Sequence, residues 1–343
     1  MQNKQKLIFH IGAPKVASST IQQYLKQNAF KYYDEGVLIV DKNLEFISPK
    51  KRDPELGAAV IIKELLNDEC SIKTIVSKLI KISEKAAELK LNKLVFSVEN
   101  LSPFEEKRRE LMGELFNQLH NEFDFTIIYY IRRQDEWLES AWKQWSLKKH
   151  NRPFHIWICA CVERGWPNFW EAAKFWSDIV GKDNFLLGVL HQPVLKNESI
   201  ISDFCHKADI KEFELKEPIM ANPMLDPDLL SFIHRHSETI LTDDYDTWLN
   251  GELTRLGIGV AKKGIRFLND QERDYFLNFF KNDNKNLIEY FINEQQQQLT
   301  PYFGLDRNLE LGKKPAEKDN RLQEIEAALA ATMALLCEVG KFK

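Results

Sequence analysis

The sequence predicts an α/β fold, a parallel central sheet flanked by helices with additional C-terminal helices. Three observations carry this expectation. Apolar runs alternate with amphipathic stretches across residues 1–150. The clearest runs, Leu7–Ile11 and Phe125–Ile131, are continuously apolar, as in strands covered on both faces. Each run then stops at glycine or at charged residues (Gly12, Glu99, Arg132), and the carboxyl ends of parallel strands are where such sheets hold ligands.

Leu7–Ile11 is the first strand and Gly12 ends it. Ser18–Ala29 is a helix, with Ile21, Tyr24 and Leu25 at helical spacing. Val37–Val40 is a second strand, and Leu56–Leu89 reads as helices interrupted near Asn67 and Asp68. Lys93–Val98 is a third strand. Pro103 opens a helix reaching about Leu119, as proline suits a first helical turn. Phe125–Ile131 is a strand and Asp135–Leu147 a helix. Trp166, Phe169, Trp170, Phe175 and Trp176 suit one face of a helix, read as a packing face rather than a substrate platform. Phe185–Leu190 is a fifth strand, followed by a helix at Ile200–Lys207. Beyond Asp226 the chain is mainly helical, with long amphipathic stretches at Asp270–Phe291 and Lys318–Val339. We place an α/β domain at residues 1–294 and a connector with a C-terminal amphipathic helix at 295–343. The stripe Leu322, Ile325, Leu329, Met333 and Leu336 suits either packing on the main domain or a homo-oligomer.

A chain of 343 residues with 44% hydrophobic and 29% charged residues can bury a full core. Its net charge of −4 argues against a nucleic-acid binder, so an anionic ligand needs a local cluster of donors. Five cysteines without paired spacing fit a reducing compartment. Cys159 and Cys161, one residue apart, read as buried thiols. No secretory h-region follows the polar Met1–Lys6, and no run of about 18 apolar residues occurs. The expectation is a cytoplasmic protein without a transmembrane segment.

The turn Gly12-Ala13-Pro14-Lys15-Val16-Ala17, leading into Ser18-Ser19-Thr20, has the makings of an anion site. Backbone N–H groups at a helix start and the helix dipole favour negative charge, and Lys15 adds a full positive one. The turn departs from the magnesium-nucleotide loop G-x-x-x-x-G-K-[ST], because Val16 stands where that loop has Ser or Thr.

The stretch Ile11–Gln22 resembles the 5′-phosphosulfate loop of sulfotransferases that use 3′-phosphoadenosine 5′-phosphosulfate (PAPS), in particular the bacterial P-K-T-A-S-T-S form. Val16 replaces its common Thr, which removes one side-chain donor. The stretch Ile131–Trp142 is similar to the family's 3′-phosphate element, in which Arg ends a strand and Ser follows eight positions later; Arg132 and Ser140 meet that spacing. Gln134 stands where many members have Pro. A guanidinium grips phosphate oxygens in bidentate fashion and a hydroxyl adds a further donor. Ala261–Arg266 resembles the basic, glycine-containing loop that closes over the 3′-phosphate and adenine, which makes Lys263, Gly264 and Arg266 candidates. The resemblance spans roughly residues 6–292.

The resemblance implies a P-loop NTPase-like sulfotransferase fold and a metal-independent transfer from PAPS to an acceptor hydroxyl, with the 3′,5′-bisphosphate (PAP) as product. The acceptor is a small molecule or, by analogy with bacterial members, a glycan. Gly12, Lys15, Ala17, Ser18, Ser19, Thr20, Arg132 and Ser140 would hold the donor, and Lys15 would also stabilise the departing phosphate. Glu99, ending the third strand, is the first candidate for the base; His10 is the reserve, and His191 a third. Two other readings stay open: a P-loop-type nucleotide kinase or hydrolase, and a non-catalytic nucleotide-binding scaffold.

Overall fold

Leu7, Ile8, Phe9 and His10 are each at most 1% exposed, and consecutive buried residues in a strand require cover on both faces of the sheet. In the computed structural model this run forms strand β1 (Gln5–His10). Residues 4–57, 72–99, 101, 106–145, 154–215, 217, 267–292 and 296–306 are described. Among them the sheet has five strands: β1, β2 (Val37–Ile39), β3 (Lys93–Ser97), β4 (Phe123–Ile131) and β5 (Phe185–Val189), ordered β2-β3-β1-β4-β5. All pairings are parallel: Leu7 faces Leu94 on one side and Phe125 on the other, and Tyr130 faces Gly188. The fold is therefore the expected parallel sheet flanked by helices, and its carboxyl ends share one edge.

The chain divides into two units. The first comprises Met1–Arg133, Asn168–Met220 and Lys281–Asp306; the second comprises Gln134–Pro167, Ala221–Phe280 and Arg307–Lys343. The first holds the sheet with α1 (Ser18–Gln27), α2 (Ala29–Asp34), α3 (Ile72–Glu88) and α4 (Glu106–Leu119). The second holds α5 (Gln134–Trp145) and α6 (Phe154–Glu163). The chain then returns to the first unit for α7 (Phe169–Val180) and α8 (Ile200–Lys207). Next come α9 (Asp270–Phe279) in the second unit, and α10 (Lys281–Phe291) and α11 (Gln296–Tyr302) in the first.

In the first unit Phe9 meets Phe96 and Phe116 edge-on at 5.2 and 5.1 Å, and Phe116 meets Trp176 at 4.8 Å. Helix α7 buries Phe169, Ala172, Ala173, Trp176, Ser177 and Val180, the stripe of a packing face. Trp166 is not part of it: Asn168 caps α7 by accepting from Glu171 N at 3.0 Å, so the helix starts only at Phe169. The Tyr130 hydroxyl donates to Asp203 Oδ2 at 2.6 Å, which ties the sheet to α8, and Lys207 pairs with the same oxygen at 2.8 Å. Opposite Tyr130 only glycine fits, because a Cβ at Gly188 would lie 2.3 Å from the phenol ring.

In the second unit Arg273, 5% exposed, is held by two carboxylates one helical turn apart. Nη1 pairs with Asp135 at 2.5 Å and Nη2 with Glu139 at 2.6 Å. Glu139 also accepts from Leu268 N at 3.1 Å, and Asn269 with Glu272 forms a capping box at the start of α9. Trp142 meets Phe154 and Phe267 edge-on. The helix expected over Asp270–Phe291 is two helices parted at Phe280, where the chain leaves the second unit for the first. Cys161 is buried, whereas Cys159 is partly exposed. Among the described residues no helix is long and apolar enough to cross a membrane. The C-terminal amphipathic helix expected at Lys318–Val339 lies outside the described residues.

Candidate functional site

The pairing of β1 with β4 does not stop at His10. Ile11 N donates to Ile128 O at 3.1 Å, Tyr130 N to Gly12 O at 2.8 Å and Ala13 N to Tyr130 O at 2.8 Å. The turn that follows is thus stitched to the strand that ends at Ile131, just before Arg132. Gly12 has a φ of 97°, where a side chain would be strained. Lys15 and Ala17 each have a φ of 66°, a left-handed conformation that non-glycine residues adopt at a cost of about 1–3 kcal/mol each. Left-handed residues in a turn direct successive N–H groups toward one concave side, a geometry that suits anions.

Ala17 is also the N-cap of α1 and offers no capping side chain; its carbonyl accepts from Thr20 N at 3.0 Å and Ile21 N at 3.2 Å, while no cap side chain reaches the N–H groups of Ser18 and Ser19 ahead of them. Ser18 is 2% exposed and its hydroxyl donates back to Ala13 O at 3.3 Å, closing the turn on itself. Ser19 is exposed and Thr20 half-buried. Val16 is fully buried, so the position that carries Thr in the bacterial motif contributes to the core.

Arg132 reaches this turn: its Nη1 donates to Lys15 O at 3.3 Å. The two basic elements singled out in the sequence, 117 positions apart, are therefore joined in one unit. Arg133 is held elsewhere. Its N–H donates to the Tyr302 hydroxyl and its Nη1 to the Tyr302 carbonyl, both at 3.1 Å, with the guanidinium 5.2 Å from the ring centre. The Tyr302 ring is stacked on His191 at 4.0 Å.

On the other side of β1, Val98 N donates to His10 O at 2.8 Å, which brings the next residue, Glu99, to the mouth of the same turn. Glu99 is half-buried. Desolvation lifts its carboxyl above the ordinary range, and the positive charge of Lys15 pulls it part of the way back. His10 lies beneath, fully buried. Its Nδ1 is 2.8 Å from Ser97 Oγ and its ring packs edge-on against Tyr130 and Phe204. Burial pushes its pKa down to about 3, so the imidazole is neutral across the physiological range.

Gly12, Lys15, Ala17, Ser18, Ser19, Thr20, Glu99 and Arg132 thus gather at the carboxyl ends of β1, β3 and β4. Ser140 is a partly exposed residue of α5, in the second unit. Lys263, Gly264 and Arg266 lie outside the described residues. Sequence reasoning missed Tyr302, which is 169 positions from Arg133 and belongs to no recognisable motif. A concave turn with a lysine, an arginine from the next strand and a carboxylate of raised pKa can hold an anionic group and accept a proton beside it.

No family model matches the sequence, and no curated protein is similar to it. Among solved structures, the chain is similar to a sulfotransferase. That crystal structure, of the protein from Alicyclobacillus acidocaldarius, aligns over 84% of this chain and 96% of its own, at 11% identity and a TM-score of 0.43.

Proposed function

We propose that the chain is a sulfotransferase that moves a sulfuryl group from PAPS to an acceptor hydroxyl. The observation that carries this reading is the bond from Arg132 to the carbonyl of Lys15, which draws two cationic side chains to one edge of the sheet. A donor with one anion at each end of its nucleotide needs two such grips. In this reading the Lys15 turn holds the 5′-phosphosulfate, through Lys15, the N–H groups of Ala17, Ser18 and Ser19, and the hydroxyls of Ser19 and Thr20. Gly12 admits the close approach of backbone to ligand. Arg132 takes the 3′-phosphate; Ser140, by its spacing from Arg132, and Lys263, Gly264 and Arg266, by the resemblance of their loop, are proposed for the donor from the sequence alone.

The transfer itself is an in-line displacement. The acceptor oxygen bonds to sulfur as the bond from sulfur to the 5′-phosphate oxygen breaks, and Lys15 neutralises the charge that gathers on that leaving oxygen. Glu99 takes the acceptor's proton; its half-buried carboxylate faces Lys15, and its raised pKa brings it nearer the range useful to a general base. His10 is the weaker candidate, because it is sealed in the core and burial makes its imidazole a poor proton acceptor. The acceptor is proposed to be a small molecule or a glycan, with PAP as product, no metal requirement and a cytoplasmic setting.

The test is calorimetry with adenosine 3′,5′-bisphosphate, followed by transfer from labelled donor to an acceptor pool. Charged hydrogen bonds contribute about 1.5–3 kcal/mol each, so Arg132→Ala is expected to weaken bisphosphate binding by about 10- to 150-fold. Tight ATP binding with EDTA-sensitive turnover would instead point to the nucleotide kinase or hydrolase. Bisphosphate binding without transfer to any acceptor would point to the scaffold.

A further inference from the structure

The two consecutive arginines at the end of β4 are used differently. Arg132 turns toward the Lys15 carbonyl. Arg133 makes three contacts to a single residue of α11: its N–H to the hydroxyl, its guanidinium to the carbonyl, and its charge against the ring. Tyr302 is itself 9% exposed and fixed from another side by the stacked His191. The backbone immediately after Arg132 is thereby fastened to two elements remote in sequence, α11 and the segment after β5.

We propose that Tyr302 is a positioning residue for the donor site: by anchoring Arg133 it sets the direction in which Arg132 leaves the sheet, and so the preference for a nucleotide bearing a 3′-phosphate. The proposal rests on the donor role of Arg132 given above. Its physical basis is that a charge-assisted bond to phosphate is strong only over a narrow range of distance and angle, and that a gripping side chain performs only as well as its support is rigid. A bond from the Arg133 N–H to a phenol oxygen restricts the main chain directly at the neighbouring residue, which side-chain packing alone would not do. If the contacts served only to dock α11 against the sheet, their loss would affect all nucleotides alike.

The experiment uses the full chain and two probes, adenosine 3′,5′-bisphosphate and adenosine 5′-monophosphate, titrated calorimetrically into wild type, Tyr302→Phe, Arg132→Ala and the double variant. Tyr302→Phe keeps the ring against His191 and the backbone carbonyl but removes the acceptor for the Arg133 N–H. A neutral hydrogen bond of ordinary strength corresponds to about a 2- to 12-fold change. We expect a bisphosphate loss in that range, unchanged monophosphate binding, and no further loss when Tyr302→Phe is added to Arg132→Ala. If Arg132→Ala binds the bisphosphate as wild type does, the donor reading itself fails. If Arg132→Ala is weakened but Tyr302→Phe is not, or if Tyr302→Phe weakens both probes equally, the positioning role is wrong and the donor reading stands. Should Tyr302→Phe fold poorly, Arg133→Met, which removes the guanidinium from the Tyr302 carbonyl and ring, is read in the same way.

Discussion

The two units each bring together basic and acidic side chains, and they do so in different ways. In the second unit Arg273 gives one terminal nitrogen to Asp135 and the other to Glu139. All three side chains are buried. In the first unit Arg132 bonds the carbonyl of Lys15, and Glu99 feels the positive charge of Lys15 beside a turn built from left-handed residues. The same residue types make a structural rivet in one place and, in the function proposed, a receptive edge in the other. In one an arginine bridges two carboxylates of a single helix; in the other an arginine bonds the main chain of the turn that carries the lysine.

That contrast can be broken by exchanging the readouts. Lys15→Ala is expected to lower sulfuryl transfer by at least about 10²–10³-fold, the scale of removing one preorganised charge-stabilising donor, while its urea midpoint stays near that of wild type. Arg273→Leu should do the reverse. It takes the cation away from two buried carboxylates, and removing one partner of a buried ion pair costs about 3–5 kcal/mol, visible as a large fall in the urea midpoint. If Lys15→Ala unfolded the protein, or Arg273→Leu left it as stable as before, the division of labour between the two clusters would be wrong.

Glu99 sharpens the comparison. With its pKa raised by burial against the pull of Lys15, it is protonated and unable to act as a base below a pH somewhat above the ordinary carboxylate range. The transfer rate should therefore rise with pH through that value. Glu99→Gln should lower the rate by about 10²–10⁴-fold and abolish this acidic limb. A retained limb in the Gln variant would move the proton-accepting role to another group.

Much of this arrangement was legible in the sequence for a physical reason: buried parallel strands must be continuously apolar, and a chain that turns charged at a strand's end marks the ligand edge. Lys15, Glu99 and Arg132 could be placed that way. Their mutual positions could not, because they depend on the parallel register of β1 with β3 and β4. Nor could the burial of Val16 or the inward turn of the Ser18 hydroxyl, since a residue's type does not say which way a turn presents it. The parting of Asp270–Phe291 at Phe280 escaped because the apolar spacing carries on through the break. Tyr302 escaped because its partner lies far along the chain, and no local pattern records such a contact.

The smallest expected effect concerns a carboxylate that belongs to neither cluster. Asp283, on α10, accepts from Trp170 N at 3.4 Å at the start of α7, yet burial, with Glu171 nearby, pushes its pKa up to about 7 from an ordinary 3.8. Two forces oppose each other here: the helix start favours the anion, and desolvation disfavours it. With the folded pKa above the unfolded one, the neutral form is favoured in the fold. Its contribution to stability is complete below about pH 4 and is lost as pH rises through about 7. Asp283→Asn keeps an oxygen for the Trp170 N–H but cannot ionise. It should match wild type near pH 4 and exceed it near pH 8, with a urea midpoint higher by roughly half a molar. A wild type more stable than the Asn variant at the higher pH would mean that the start of α7 outweighs desolvation. Asp283 would then be an anion held by backbone N–H groups, a smaller counterpart of what is proposed for the donor phosphate at α1.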